Sequence, residues 1–160
     1  LIKSVDIIGK AKGFERANNN ETARQVWAVS SVYKKLNYAD KVFNLHGPKR
    51  WEPWLDKIQN LVTIQRFASF PNAEVIPTNK LIKMFGPIFH SSISWMVGYA
   101  VLLGYKDIGF HGIHMQHETE YGKQRDSLFY LFGMLHCKKI KLRIDKDSGI
   151  YLDTKLYGGF

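Results

Sequence analysis

Short apolar runs and glycine- or proline-marked breaks alternate along the chain. The stretches "SVDIIG" (4–9), "VWAVSSVY" (26–33), "KVFNLHG" (41–47) and "LVTIQRF" (61–67) are rich in Val, Ile and aromatics, as buried strands are. A polar stretch, "FERANNNETARQ", has the composition of a short helix, and "WEPWLDKIQN" that of another. Three prolines, Pro71, Pro77 and Pro87, predict irregular chain over 71–87. A mostly apolar block then predicts a helix buried on most sides over 92–103. Ser91 or Ser92 would be its N-cap and Gly104 its stop. A central strand is expected at 107–111. A helix over "EYGKQRDSLFYLFGMLHC" follows, with Leu128, Leu131, Phe132 and Leu135 on one side, and then an edge strand over 138–144. The tail "YLDTKLYGGF" is expected to be loose.

Strands alternating with helices predict a three-layer α/β fold with a mostly parallel sheet. Without internal repeat or linker, residues 1–160 are expected to form a single domain. The apolar run from Ile93 to Leu103 has only about half to two-thirds of the ~20 residues a membrane span needs. No membrane span is therefore expected, and no signal-peptide pattern opens the chain.

With 45% apolar residues the 160-residue chain has a globular composition, and its formal net charge of +9 favours anionic partners. Nucleic acid is one such partner, and Lys49, Arg50, Trp51 and Trp54 in "KRWEPW" offer charge beside stacking surface, although no recognised nucleic-acid-binding signature occurs. The single cysteine, Cys137, excludes an internal disulfide, fits a reducing cytoplasm, and is expected to be a buried, inert thiol.

In a parallel α/β sheet, ligands bind beyond the carboxyl ends of the strands, where strand order reverses. That rule selects Gly9, Lys10, Lys12 and Gly13 after the first strand, Ser30 after the second, and His46 and Trp51 after the third. It also selects His111 and His114 with the segment "HGIHMQHETEY". Ser91 and Ser92 at the long helix's N-terminus would favour a phosphate through free amides and dipole. Imidazoles titrate near neutrality and carboxylates accept protons, so His111, His114 and Glu120 are candidates for acid–base work, as is Glu118. Arg125 would stabilise charge, and Tyr121 and Gln124 would close the acceptor side. The spacing of His111, His114 and His117 by three matches no zinc motif, and no metal site is expected.

The block "SSISWMVGYAVLLGYKDIGFHGIHM" resembles the bacterial sialyltransferases of glycosyltransferase family forty-two and the wider MptE-like group, also called domain of unknown function 115. "VDIIGKAKGF", "VWAVSSVY", "KVFNLHG" and the closing "EYGKQRDSLFYLFGMLHCKKIKL" extend the likeness over roughly residues 4 to 144. The resemblance implies a Rossmann-like domain with a nucleotide pocket at the strand ends. In the sialyltransferases that pocket holds a cytidine-monophosphate sugar with no metal. In the MptE-like enzymes diphosphate passes from a nucleoside triphosphate to a pterin, with magnesium. Small versions of the group are frequent in bacteriophage genomes, which implies a host bacterial cytoplasm. The paired hydroxyls before the long helix fall on Ser91 and Ser92, and the asparagine after the second strand falls on Ser30. The asparagine after the first glycine is replaced by Lys10, and the aspartate of "G-I-D" by His114. The sialyltransferase histidine falls near Tyr121 or Gly122. Two readings follow: a nucleotide or nucleotide-sugar dependent transferase (or a pterin diphosphokinase-like enzyme), and a non-catalytic protein of the same fold that binds a nucleotide, DNA or a host protein.

Overall fold

The computed structural model describes residues 2–18, 24–36, 38–115 and 120–151, with the side chains of Asn18, Glu120 and Tyr121 left aside. Seven strands form one sheet: β1 (Ser4–Ile8), β2 (Gln25–Val29), β3 (Lys41–Asn44), β4 (Leu61–Thr63), β5 (Glu74–Val75), β6 (Asp107–His111) and β7 (Lys141–Ile144). Their order is β5-β4-β3-β2-β1-β6-β7, and every pairing is parallel. β6 therefore lies between β1 and the edge strand β7, one place in from the rim, with its three middle residues buried.

The pleat sends alternate side chains to opposite faces, and this divides the core in two. Val5 and Ile7 of β1, Trp27 of β2 and Ile108 and Phe110 of β6 pack with α3 (Ser92–Leu102) and α4 (Glu120–Cys137). Ile8, Val26, Ala28 and Val42 pack on the other face with Val32 of α1 (Ser30–Tyr33) and Leu55. In α3 seven residues are buried, from Ile93 to Ala100, around most of the circumference, because the helix lies under neighbours rather than on a surface.

Several elements depart from the sequence pattern. The stretch 71–87 is not irregular: it holds β5 and an amphipathic helix, α2 (Thr78–Phe85), which buries Leu81 and Phe85. Pro77 occupies the N-cap, where its missing N–H costs nothing, and its carbonyl accepts from Lys80 and Leu81. The second strand stops at Val29 because 30–33 turn into α1. The third and fourth end at Asn44 and Thr63, and 310 turns occupy Phe14–Asn18 and Pro53–Lys57. The last strand begins only at Lys141, after a turn in which Lys139 takes φ 55°. Cys137 is exposed, not buried. It stands about 200° around α4 from Leu135, off the stripe of Leu128, Leu131 and Leu135 that faces the core. The tail from residue 152 lies outside the described residues.

Candidate functional site

β1 is where the sheet changes direction: β2 to β5 run off one side and β6 and β7 off the other. The loops leaving β1 and β6 are consequently neighbours, joined backbone to backbone. Gly9 N donates to His111 O (2.9 Å), and Ala11 N donates to Gly112 O (2.9 Å). The approach requires glycine on both sides. A Cβ on Gly9 would stand 2.5 Å from the Gly112 carbonyl oxygen, and one on Gly112 (φ 62°) 2.6 Å from that of Ala11.

α3 packs across β1 and β2 and feeds β6, so its N-terminus points to the carboxyl end of the sheet. Ser91 is the N-cap. Its Oγ accepts from Ser94 N (3.1 Å), and Ser94 Oγ accepts in return from Ser91 N (3.1 Å). The box consumes the Ser91 hydroxyl and leaves other first-turn N–H groups for a ligand.

These parts surround a cleft of about 870 Å³. Gly9 and Lys10 form one wall, Ser31, His46 and Arg50 another, Phe89 to Ser92 with Trp95 a third, and Gly112 to Met115 with Gln124 the last. Among the described residues the lining holds Lys10, Arg50 and three histidines, with no Asp or Glu, so the field there favours anions. A smaller hollow of about 260 Å³, between Leu55 and Ala73, lies apart from the strand ends of β1 and β6.

His114 stands in the cleft wall with Nε2 3.0 Å from the carbonyl oxygen of Lys12. A carbonyl only accepts, so Nε2 carries the hydrogen and the neutral ring keeps its lone pair on Nδ1.

His111, three residues earlier on the pleat, belongs to a different constellation and does not line the cleft. Its Nε2 lies 3.7 Å from Asp6 Oδ1 and its Nδ1 3.3 Å from Asp145 Oδ2. Asp6, Gly109 and Arg143 share one row across β1, β6 and β7. Arg143 crosses over Gly109 to donate from Nη2 to Asp6 (2.7 Å), while its Nε donates to Asp107 (2.5 Å). Burial pushes the Asp6 carboxyl up, but the hydrogen-bonded Arg143 guanidinium and the neighbouring His111 ring outweigh it and hold the group below its ordinary value. A depressed carboxyl stabilises the fold fully above its unfolded value, near 3.8, and loses that contribution as pH falls through the lower folded value. Asp6→Asn is therefore expected to flatten the pH dependence of the urea midpoint below about pH 4. An unchanged acid limb would place the linkage elsewhere.

Of the residues singled out from sequence, Gly9, Lys10, His46, Ser91, Ser92, His114 and Gln124 meet in the cleft. Lys12 contributes its backbone carbonyl, and Gly13 (φ 99°) turns the loop with its N–H on Glu15. Ser30 donates to Asn44 Oδ1 (3.2 Å), and its neighbour Ser31 takes the cleft position because α1 starts at that point. Trp51 packs on Phe67 and Phe70 with Nε1 on the His46 carbonyl, serving the wall from behind. Arg125 lies over the Phe129 ring (5.0 Å), its Nε buried, and is not among the cleft residues. Glu120 begins α4 with Tyr121 next to it; both side chains fall outside the described structure, as do His117 and Glu118. Sequence reasoning selected the stretches that hold Arg50, His90 and Met115 but singled out none of these residues for the cleft, and it gave no role to Trp95; His90, directly before the cap, was the most accessible of them. Among the described residues no cluster of three metal-ligating side chains occurs, and no helix is long and apolar enough to cross a membrane.

A seven-stranded parallel sheet flanked by helices on both faces, with a cleft at its switch point, defines an α/β protein of Rossmann-like fold. Solved structures of the sialyltransferase CstII from Campylobacter jejuni share it. The complex with the substrate analogue CMP-3FNeuAc superposes with TM-score 0.62 at 18% identity, covering 89% of this chain and 80% of that one. The complex with cytidine-5'-monophosphate gives 0.62 at 19% identity over 92% and 81%. The complex with trisaccharide acceptor and CMP gives 0.61 at 18% over 89% and 80%. No protein-family model and no curated protein sequence matches the chain.

Proposed function

We propose that the protein is a nucleotide-sugar dependent transferase of the glycosyltransferase kind. The observation that carries the reading is the cleft itself, which joins a capped helix N-terminus, Lys10 and a histidine of fixed tautomer at the switch point. A donor's phosphate sits at the first turn of α3, held by amide N–H groups, the Ser92 hydroxyl and the Lys10 ammonium. An acceptor hydroxyl attacks the donor's anomeric carbon. The bond from that carbon to the phosphate oxygen breaks, the nucleotide leaves with the electron pair, and His114 Nδ1 takes the hydroxyl proton. Lys10 and the helix dipole stabilise the charge gathering on the departing phosphate.

CMP and CMP-sugars are the first ligands to test, because structural neighbours were solved with CMP and with a CMP-sugar analogue. A pterin diphosphokinase reading has less support. Magnesium is held through carboxylates, and the described cleft residues supply none. Melting curves against a nucleotide panel, run beside a donor-turnover assay, test the proposal. The transferase shows a shift and release of free nucleotide. A shift with no turnover against any acceptor leaves only a binding protein, and no shift at all rejects the site.

Lys10→Ala is expected to weaken CMP binding severalfold at low salt and less at high salt, since solvent ions screen a cation at the mouth of an open cleft. Isothermal titration at two ionic strengths reads this directly. Equal affinity for both proteins would take Lys10 out of the site.

A further inference from the structure

The end of the sheet opposite the cleft carries a second charged feature that transfer chemistry does not use. β1, β6 and β7 start side by side there, tied by Lys106 N to Lys3 O (3.0 Å) and Lys141 N to Lys106 O (2.9 Å). Adjacent strands lie about 4.8 Å apart, so the backbones of Lys3, Lys106 and Lys141 span roughly 10 Å, with Lys141 one row on and its side chain on the other face of the pleat. The turn between α4 and β7 adds Lys138 and Lys139, and all five lysines are exposed. Asp107, the carboxylate at the start of β6, is committed to Arg143 and does not neutralise them. Among the lysines stand two exposed aliphatic side chains: Ile2 is 74% exposed and Leu103, whose carbonyl accepts from Lys3 Nζ, is 37% exposed.

We infer that the β1–β6–β7 side of this end, away from Asp40 and Glu74 at the starts of β3 and β5, is a docking surface for an anionic lipid bilayer. The surface is made of strand starts and helix ends, and neither of the two hollows described above opens among its residues. Five lysines on long apolar stems suit a plane of anionic headgroups, with the two aliphatic side chains entering the interface between them. A nucleic-acid surface would interleave exposed aromatics with the cations. Within the lysine cluster the aromatic residue is Tyr105, 7% exposed beneath Lys3, while the exposed Tyr38 stands on Asp40 at the start of β3. A protein partner would call for a packed central anchor, and Ile2 and Leu103 form none. Docking in this way turns the cleft away from the bilayer, toward a water-soluble donor.

The test is sedimentation of the full chain with vesicles of mixed phosphatidylserine and phosphatidylcholine, against vesicles of phosphatidylcholine alone. The protein is expected to pellet with the mixed vesicles, to be released as salt rises, and to stay in solution with the neutral ones. The triple variant Lys106→Glu, Lys138→Glu, Lys139→Glu should lower partitioning at least about tenfold. It should still melt cooperatively and keep the parent's CMP affinity, so the result does not depend on whether the cleft is catalytic. Because glutamate near the end of α4 opposes the helix dipole, the same three positions changed to Gln serve as a second variant, expected to lose binding in smaller measure. Leu103→Ser should weaken binding severalfold at constant charge. Equal binding to neutral vesicles, or full binding by the folded triple variants, overturns the proposal. So does binding to a single-stranded oligonucleotide through the same lysines with none to vesicles.

Discussion

Gly109→Ala is expected to lower the stability of the fold by about 3–5 kcal/mol, the cost typical of breaking a buried ion pair by displacing one partner. A Cβ at this position would lie 2.6 Å from Arg143 Nη1 and 2.9 Å from its Cζ, and closer still to Asp6. Neither neighbour is free to retreat. Arg143 is held at both ends, by Asp107 and by Asp6, and Asp6 is only 6% exposed. The methyl group therefore lifts the guanidinium off the sheet and leaves Asp6 facing His111 with no permanent cation. Since whole domains are stable by only about 5–15 kcal/mol, the urea midpoint should fall by a large fraction of its value. The same substitution on an Arg143→Ala background should cost less, because the pair is already gone and only the clash with Asp6 remains. A Gly109→Ala midpoint within error of the parent would show that the row can relax around a side chain.

The largest effect on activity is expected at His114. Removing a general base typically costs about 10²–10⁴-fold in rate, so the role proposed for His114 predicts that His114→Ala lowers kcat by about that factor. Alanine also deletes the hydrogen bond to the Lys12 carbonyl and could disturb the loop that carries Lys10. His114→Gln separates the two effects. Its amide N–H can still donate to Lys12, but it offers no basic nitrogen, so CMP affinity should stay near the parent value while kcat falls as far as in the alanine variant. Turnover surviving in His114→Gln would reduce His114 to a wall residue and move the search for the base to His46 or His90, which line the same cleft.

What could be read from the chain follows from how local each signal is. The strands were legible because "VWAV" is a continuous apolar run and "VDII" and "KVF" are apolar but for Asp6 and Lys41, the mark of strands covered on both faces. α3 was legible because an apolar block of helical length is bounded by Ser91 and Gly104. α2 was missed because prolines were counted as breakers, while Pro77 is a starter by virtue of its position. The candidate site was legible as a set of loops but not as a set of side chains. Ser30 and Ser31 exchange roles at the single residue where β2 gives way to α1. His111 ends a strand and His114 stands in the loop beyond it, so three residues of spacing put them in different surroundings. The Asp6–Gly109–Arg143 row was beyond reach, since it depends on the register of three strands drawn from opposite ends of the chain.

The strand order also says something about how the chain reaches this structure. β1 sits between β2, which follows at once, and β6, whose partner residues lie about 100 positions later: Val5 pairs with Ile108. Long-range parallel pairing is slow to form, because its loop-closure entropy must be met before any of its contacts help. During synthesis β1 can complete one side with β2 and extend toward β3, while its other edge keeps unpaired N–H and C=O groups until α3 and β6 have emerged. An open parallel edge flanked by Val5 and Ile7 invites pairing with other chains. The Gly9–Gly112 contact that shapes the cleft can close only after that wait, so the cleft is among the last parts of the molecule to assemble.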